Sequence, residues 1–185
     1  MRIIKTIFII ALFNIACANA SEECDYTHRW WLNLAGGIGS TFGDGNANVD
    51  GQSAAQISFN GMITEKLFTT LALTGLGRDN DEQAHEQAIL LGYKSKKPNW
   101  YWGLAAGVGH LEIENKISYY SYKPSLFGAG TTYYTSYTQS EDYLSFPVQG
   151  QLFWTPFKHF GVGLIAHASF GKKTMTTGLL GIQFS

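Results

Sequence analysis

Eight stretches of this chain change side-chain character at every residue, and the two faces they create differ sharply. From Phe160 to Phe170 the even positions are Phe160, Val162, Leu164, Ala166, Ala168 and Phe170, and the odd ones are Gly161, Gly163, Ile165, His167 and Ser169. After Gly171-Lys172-Lys173 the pattern resumes, with Leu180, Ile182 and Phe184 against Gly181 and Gln183. Successive side chains of a strand point to opposite faces, so a period of two means strands with one apolar and one small or polar face. The same pattern sets Trp30, Leu32, Leu34 and Ile38 against Trp31, Asn33, Ala35, Gly37 and Gly39, and Ala55, Ile57, Phe59 and Ile63 against Gln56, Ser58, Asn60 and Met62. It predicts strands over about 29–43, 53–63, 67–77, 85–94, from Trp100 onward, over 143–154 and 160–170, and one ending at Phe184. The third is the least regular, because Phe68, Ala72 and Leu76 fall on its polar parity with Thr70 and Thr74.

The polar face decides between two all-β folds. It collects Asn33, Gln56, Ser58, Asn60, Thr70, Thr74, Gln149, Gln151 and Gln183. The core of a water-soluble barrel should not hold that many amides, whereas in a membrane barrel they face the lumen. Turning the amides inward demands a partner for each, and an apolar solvent outside. The strands have the 9–11 residues or so that cross a bilayer at a tilt. Their number is even, and the connections after the second, fourth and sixth are short while those after the first, third and fifth are longer or more charged. No stretch after the leader has 18 consecutive apolar residues, so a spanning helix is not expected. The expected fold is a closed eight-stranded antiparallel up-and-down transmembrane β-barrel.

These features, with the Gly-Ile-Gln-Phe-Ser end, resemble the small eight-stranded outer-membrane barrels of Gram-negative bacteria along the whole chain after its leader. The usual last residue of such barrels is Phe, whereas here Phe184 is followed by Ser185. The resemblance implies a monomer surrounded by outer-membrane lipid and lipopolysaccharide, with short turns in the periplasm and long connections outside the cell. Trp30, Trp100, Trp102, Trp154, Phe160 and Phe184, near the short turns, are the expected periplasmic aromatic girdle.

Residues 1–20 read as a secretory signal peptide. Arg2 and Lys5 are followed by an apolar core over Thr6 to Ala16 and the small-x-small site Ala18-Asn19-Ala20. The barrel domain is then 21–185. A lipoprotein cut before Cys17 is the rival reading, against which stands Asn14 where such signals carry Leu. Cys24 alone remains after cleavage, so no internal disulfide is expected. With 13 basic and 14 acidic side chains there is no basic excess for nucleic acid.

Few residues suggest chemistry. His167-Ala168-Ser169 resembles the His-x-Ser pair of the lipid A deacylase barrels, which would imply His167 as base and Ser169 as nucleophile. Here Phe170 replaces that family's Asn, no Asp or Glu follows Ser169, and parity places both residues inside with Gln149 and Gln151. The alternative is a polar network filling a narrow lumen, comprising Arg29, Asn33, Gln56, Asn60, Arg78, Glu86, Gln149, Gln151, His167 and Gln183. A narrow small-solute pore is a third reading. The five histidines are scattered and no metal site or cofactor is expected. The most distinctive stretch is a long extracellular loop at about 113–142, in which the flanking strands extend as a hairpin closing near Lys123–Gly130. It carries Tyr119, Tyr120, Tyr122, Phe127, Tyr133, Tyr134 and Tyr137. Tyrosine-rich exposed surface supplies rigid contact area, so the expected role is structural or adhesion-like, non-enzymatic, with an extracellular protein or surface ligand as partner.

Overall fold

The computed structural model describes residues 30–43, 46–47, 51–77, 82–97, 99–125, 128–157 and 159–185. The leader, Cys24, Arg29, Arg78 and Phe127 lie outside the described residues. The strands are β1 (Trp30–Gly43), β2 (Asn46–Ala47), β3 (Gln52–Met62), β4 (Leu67–Gly77), β5 (Glu82–Lys97), β6 (Trp100–Ser125), β7 (Gly128–Phe157), β8 (Phe160–Phe170) and β9 (Thr174–Phe184). Apart from the two-residue β2, which folds back on the end of β1, each strand runs antiparallel to the next. β9 also pairs with β1, from Leu32 opposite Phe184 to Phe42 opposite Thr174. Eight long strands thus form a ring. Every strand gains a partner on both sides at the depth where lipid offers no hydrogen bonds, and each unpaired backbone group there would cost several kcal/mol.

The ring is turned inside out relative to a soluble barrel. Leu180 (71% exposed), Ile38 (68%) and Leu144 (67%) face outward, together with Ile57, Leu73, Leu91, Leu104 and Leu164. Asn33, Gln56, Ser58, Asn60, Thr70, Gln149, Gln151 and Gln183 are buried inside. An exterior this apolar is a surface for a membrane rather than for water.

The three short turns, Ile63–Lys66, the one at Asn99 and the one at His159, lie at one end with Trp30 and Phe184. Trp30 stacks on Phe59, Tyr93 tilts against Trp102 and Trp100 against Trp154, and Phe160 meets Phe184 edge-on, so the outward aromatics form a band at that end. Five of the six girdle candidates are exposed, and Phe160 is half-buried. The opposite end carries the connections after β1, β4 and β6. The β8–β9 connection also lies there but is only Gly171–Lys173, so length alone does not sort the two ends.

The stretch 113–142 takes the expected form of a hairpin extending its flanking strands: β6 and β7 pair from Trp100 opposite Trp154 to Ser125 opposite Gly128, apart from a gap near Gly107–Gly109 and a register shift between Lys123 and Ser125. The many Tyr and Thr residues favour strand over coil, which carries the ladder beyond the ring. β5 is longer than predicted, Glu82–Lys97, because Gln83 to Lys97 keep their partners on β6 up to both turns.

Tight curvature explains part of the glycine content. A Cβ at Gly107 would stand 1.9 Å from the Ile89 carbonyl oxygen on the neighbouring strand. Only glycine allows that approach.

Candidate functional site

The interior is layered, and each layer is built by parity. At the short-turn end Trp31, Phe68, Tyr101 and Phe153 form an aromatic floor. Tyr101 stacks on Phe153 at 5.5 Å, Trp31 tilts against Phe68 at 5.5 Å, and Lys94 Nζ lies 4.0 Å from the Trp31 ring and 4.1 Å from that of Tyr101. A cation over two ring faces is favourable where water is scarce. The irregular parity of β4 finds its reason here: Phe68, Ala72 and Leu76 are inward residues that pack rather than hydrogen-bond.

Above the floor comes an amide layer. Asn33 Nδ2 donates to Gln151 Oε1 at 3.3 Å, and Gln56 Nε2 donates to Gln149 Oε1 at 3.1 Å and to Thr74 Oγ1 at 2.9 Å. Thr70 donates to Asn60 Oδ1 at 2.7 Å, and the Tyr101 hydroxyl donates to Gln183 Oε1. The links from β1 and β3 to β7, and from β6 to β9, join strands that are not neighbours in the sheet. They therefore span the lumen and brace it.

The third layer is a buried carboxylate with three partners. Glu86 on β5 meets His167 Nε2 on β8 at 2.6 Å, accepts from Ser145 Oγ on β7 at 2.7 Å and accepts from Ser169 Oγ. The Glu86 and His167 side chains are both fully enclosed. Gly109 makes this possible: a Cβ there would lie 2.7 Å from Ser145 Oγ, which crosses above β6 to reach the acid. Leu76, Ala84, Leu111, Ile113 and Met175 close the layer from the far end.

This arrangement holds an acid, a base and a hydroxyl together, and its connectivity determines what they can do. In a nucleophilic triad the base contacts the hydroxyl and the acid orients the base. Here Ser169 donates to the acid itself, and His167 Nδ1 has no hydrogen-bond partner. The acid is also not where the sequence was searched for it. It comes from upstream, on β5, where Glu86 shares its parity with Ala84, Ala88 and Leu90. A lone carboxylate on an otherwise small and apolar inward face was the available signal. Ser145 and the aromatic floor were the parts not anticipated.

Of the predicted lumen set, Asn33, Gln56, Asn60, Glu86, Gln149, Gln151, His167 and Gln183 are all buried inside the ring. Among the described residues Glu86 is held by the histidine and two serines. With packed layers at both ends of the ring, the described interior is filled rather than hollow, as expected for eight strands.

The second candidate region stands outside the ring. Beyond Asn115, β6 leaves β5, and β7 meets β8 only from Phe146 onward. The remainder is a two-stranded ribbon exposed on both faces. Tyr120 packs against Tyr134 at 5.3 Å and Tyr119 against Tyr137 at 6.4 Å, while Ser118 and Tyr134 share a hydrogen bond at 2.9 Å. Tyr120 is 76% exposed, and Tyr119, Tyr122, Tyr133, Tyr134 and Tyr137 are exposed as well. At the ribbon's root His110 Nε2 lies 3.1 Å from Asp142 Oδ1, and Ser140 Oγ donates to Glu112 at 2.9 Å. The Tyr143 hydroxyl beside Glu141 holds that carboxyl below its ordinary range. No group of three or more metal-ligating side chains occurs among the described residues.

No family model and no curated relative matches the sequence. Solved structures do match in shape. Neisserial surface protein A superposes with a TM-score of 0.63 at 8% identity, covering 85% of this chain and 97% of that one. The attachment invasion locus protein Ail of Yersinia pestis gives 0.58 at 12%, covering 84% and 96%. The N-terminal β-barrel domain of Pseudomonas aeruginosa OprF gives 0.52 at 13%, covering 83% and 96%. Ail has also been crystallised with the heparin analogue sucrose octasulfate. The fold is that of the small bacterial outer-membrane β-barrels.

Proposed function

We propose that this protein is a non-enzymatic surface barrel of the outer membrane whose β6–β7 ribbon meets an extracellular protein or surface ligand. The ring with its apolar exterior is the anchor. The outward aromatic band at the short-turn end serves as the periplasmic girdle, which directs the ribbon away from the cell. One observation carries the reading: six tyrosines exposed on both faces of a ribbon that the ring does not need for closure. Tyrosine offers large contact area with little side-chain entropy to lose.

The test replaces residues 117–137 by a two-residue Asn-Gly turn, which suits a hairpin of this twist. The variant is expected to keep the heat-modifiable gel mobility of a folded barrel and to lose adhesion of expressing bacteria to animal-cell monolayers. Unchanged adhesion would sink the reading.

The grouping of Glu86, His167 and Ser169 favours a second reading, a deacylase-like hydrolase acting on lipopolysaccharide. Its enclosure and its hydrogen-bond order weigh against it. His167→Ala should leave the fatty-acid content of lipopolysaccharide unchanged; loss of a deacylated product would establish the enzyme instead.

A further inference from the structure

The two edges of the ribbon are unlike. Past the ring, the outer edge of β6 carries Lys116, Lys123 and Pro124. Lysine and proline on an edge are the usual means of keeping other strands from pairing with it. The outer edge of β7 has none of them: Thr132-Tyr133-Tyr134-Thr135-Ser136-Tyr137-Thr138-Gln139-Ser140 contains no charge and no proline. Among the described residues no strand pairs with that edge above Phe146. All nine side chains are exposed. Nine strand residues of high β-propensity, with one row of backbone donors and acceptors open, form a template for strand addition.

The sequence of this segment selects its occupant. Antiparallel pairing of two copies about a dyad at Thr135 sets Tyr133 opposite Tyr137 twice and Thr132 opposite Thr138 twice, with Tyr134 opposite Ser136. Aromatic and Thr–Thr pairs directly across a ladder are stabilising, and no like charges meet. Membrane geometry then fixes the direction. Two barrels in one membrane are related by an axis along its normal, so their β7 strands point the same way. Only barrels in facing membranes present β7 antiparallel. We propose that the β7 edge at Thr132–Ser140 pairs with the same edge of a second copy in an apposed membrane, joining two cells. The proposal rests on the ribbon being a contact surface and specifies a second copy of this chain as its partner.

Light scattering from phospholipid vesicles carrying the full-length protein tests it. Wild-type proteoliposomes should cluster, and vesicles without protein should not. Thr135→Lys places two lysines face to face at the dyad, so those vesicles should scatter like the protein-free ones, and Thr135→Glu vesicles likewise. Mixing the Lys and Glu populations should restore clustering, because opposite charges then meet. Ser121→Lys, on β6, should leave clustering intact, and gel mobility confirms folding of every variant. Failure of wild-type vesicles to cluster, clustering of the Thr135→Lys population alone, or a mixture that stays dispersed would each overturn the pairing. If bacteria bearing Thr135→Lys still adhere to animal cells, self-pairing and adhesion to foreign surfaces are separate properties. Loss of adhesion in the ribbon replacement alongside non-clustering wild-type vesicles would overturn self-pairing and leave the contact surface standing.

Discussion

The ring interior and the ribbon are made from the same antiparallel ladder, yet opposite needs hold them together. Inside the ring several polar side chains reach partners on distant strands: Asn33 to Gln151, Gln56 to Gln149, Glu86 to His167. In the ribbon contacts are local, Tyr120 directly across from Tyr134 and Tyr119 diagonally across from Tyr137. Loss of one interior member therefore strands several groups in a dry space, whereas loss of one ribbon side chain opens a spot to water. The ring is built to tolerate no change, and the ribbon to accept many.

That contrast can be broken from the inside first. Glu86→Ala leaves His167, Ser145 and Ser169 without their common acceptor, and removal of one member of such a buried set costs about 3–5 kcal/mol. Urea unfolding in lipid vesicles, followed by the loss of the fast-migrating unboiled band, should show this as a lower midpoint. A midpoint within error of wild type would mean that the network does not support the ring. Next comes Gly107→Ala. Its methyl group would run into the Ile89 carbonyl, and overpacking of that kind costs about 1–3 kcal/mol. Last is Tyr120→Ala in the ribbon, expected to shift the midpoint by no more than about 1 kcal/mol, the range of one cross-strand pair. A ribbon substitution as costly as Glu86→Ala would erase the distinction between the two regions.

The ring was legible because parity is a local property. Amides at Gln56, Asn60, Gln149 and Gln151 announce an inward polar face without any knowledge of neighbours, and their exposure inverts that of a soluble barrel. Partnership was not legible. Glu86 meets His167 only after three strand registers have accumulated around the ring from β5 to β8, and no spacing in the sequence encodes that sum. For the same reason the acid was sought downstream of Ser169 and found far upstream. Phe68 on β4 obscured its strand because an inward position can be satisfied by packing as well as by hydrogen bonds. The ribbon lay between the two cases: its tyrosines and the outward extension of its two strands were legible, while the register of their ladder, with its shift between Lys123 and Ser125, was not.

The pairing of β1 with β9 has a consequence in time. Leu32 finds Phe184 only when the final strand of the ring has arrived, so the contact that completes the fold is also the one with the longest intervening chain, and long-range pairings form late. Until then two lipid-depth edges, those of β1 and β8, remain open together. A chain shortened within Thr174–Phe184 would lose both pairings at once rather than one. Insertion into the membrane should accordingly behave as a single commitment, with partly built rings left as substrates for proteases instead of as working shorter barrels.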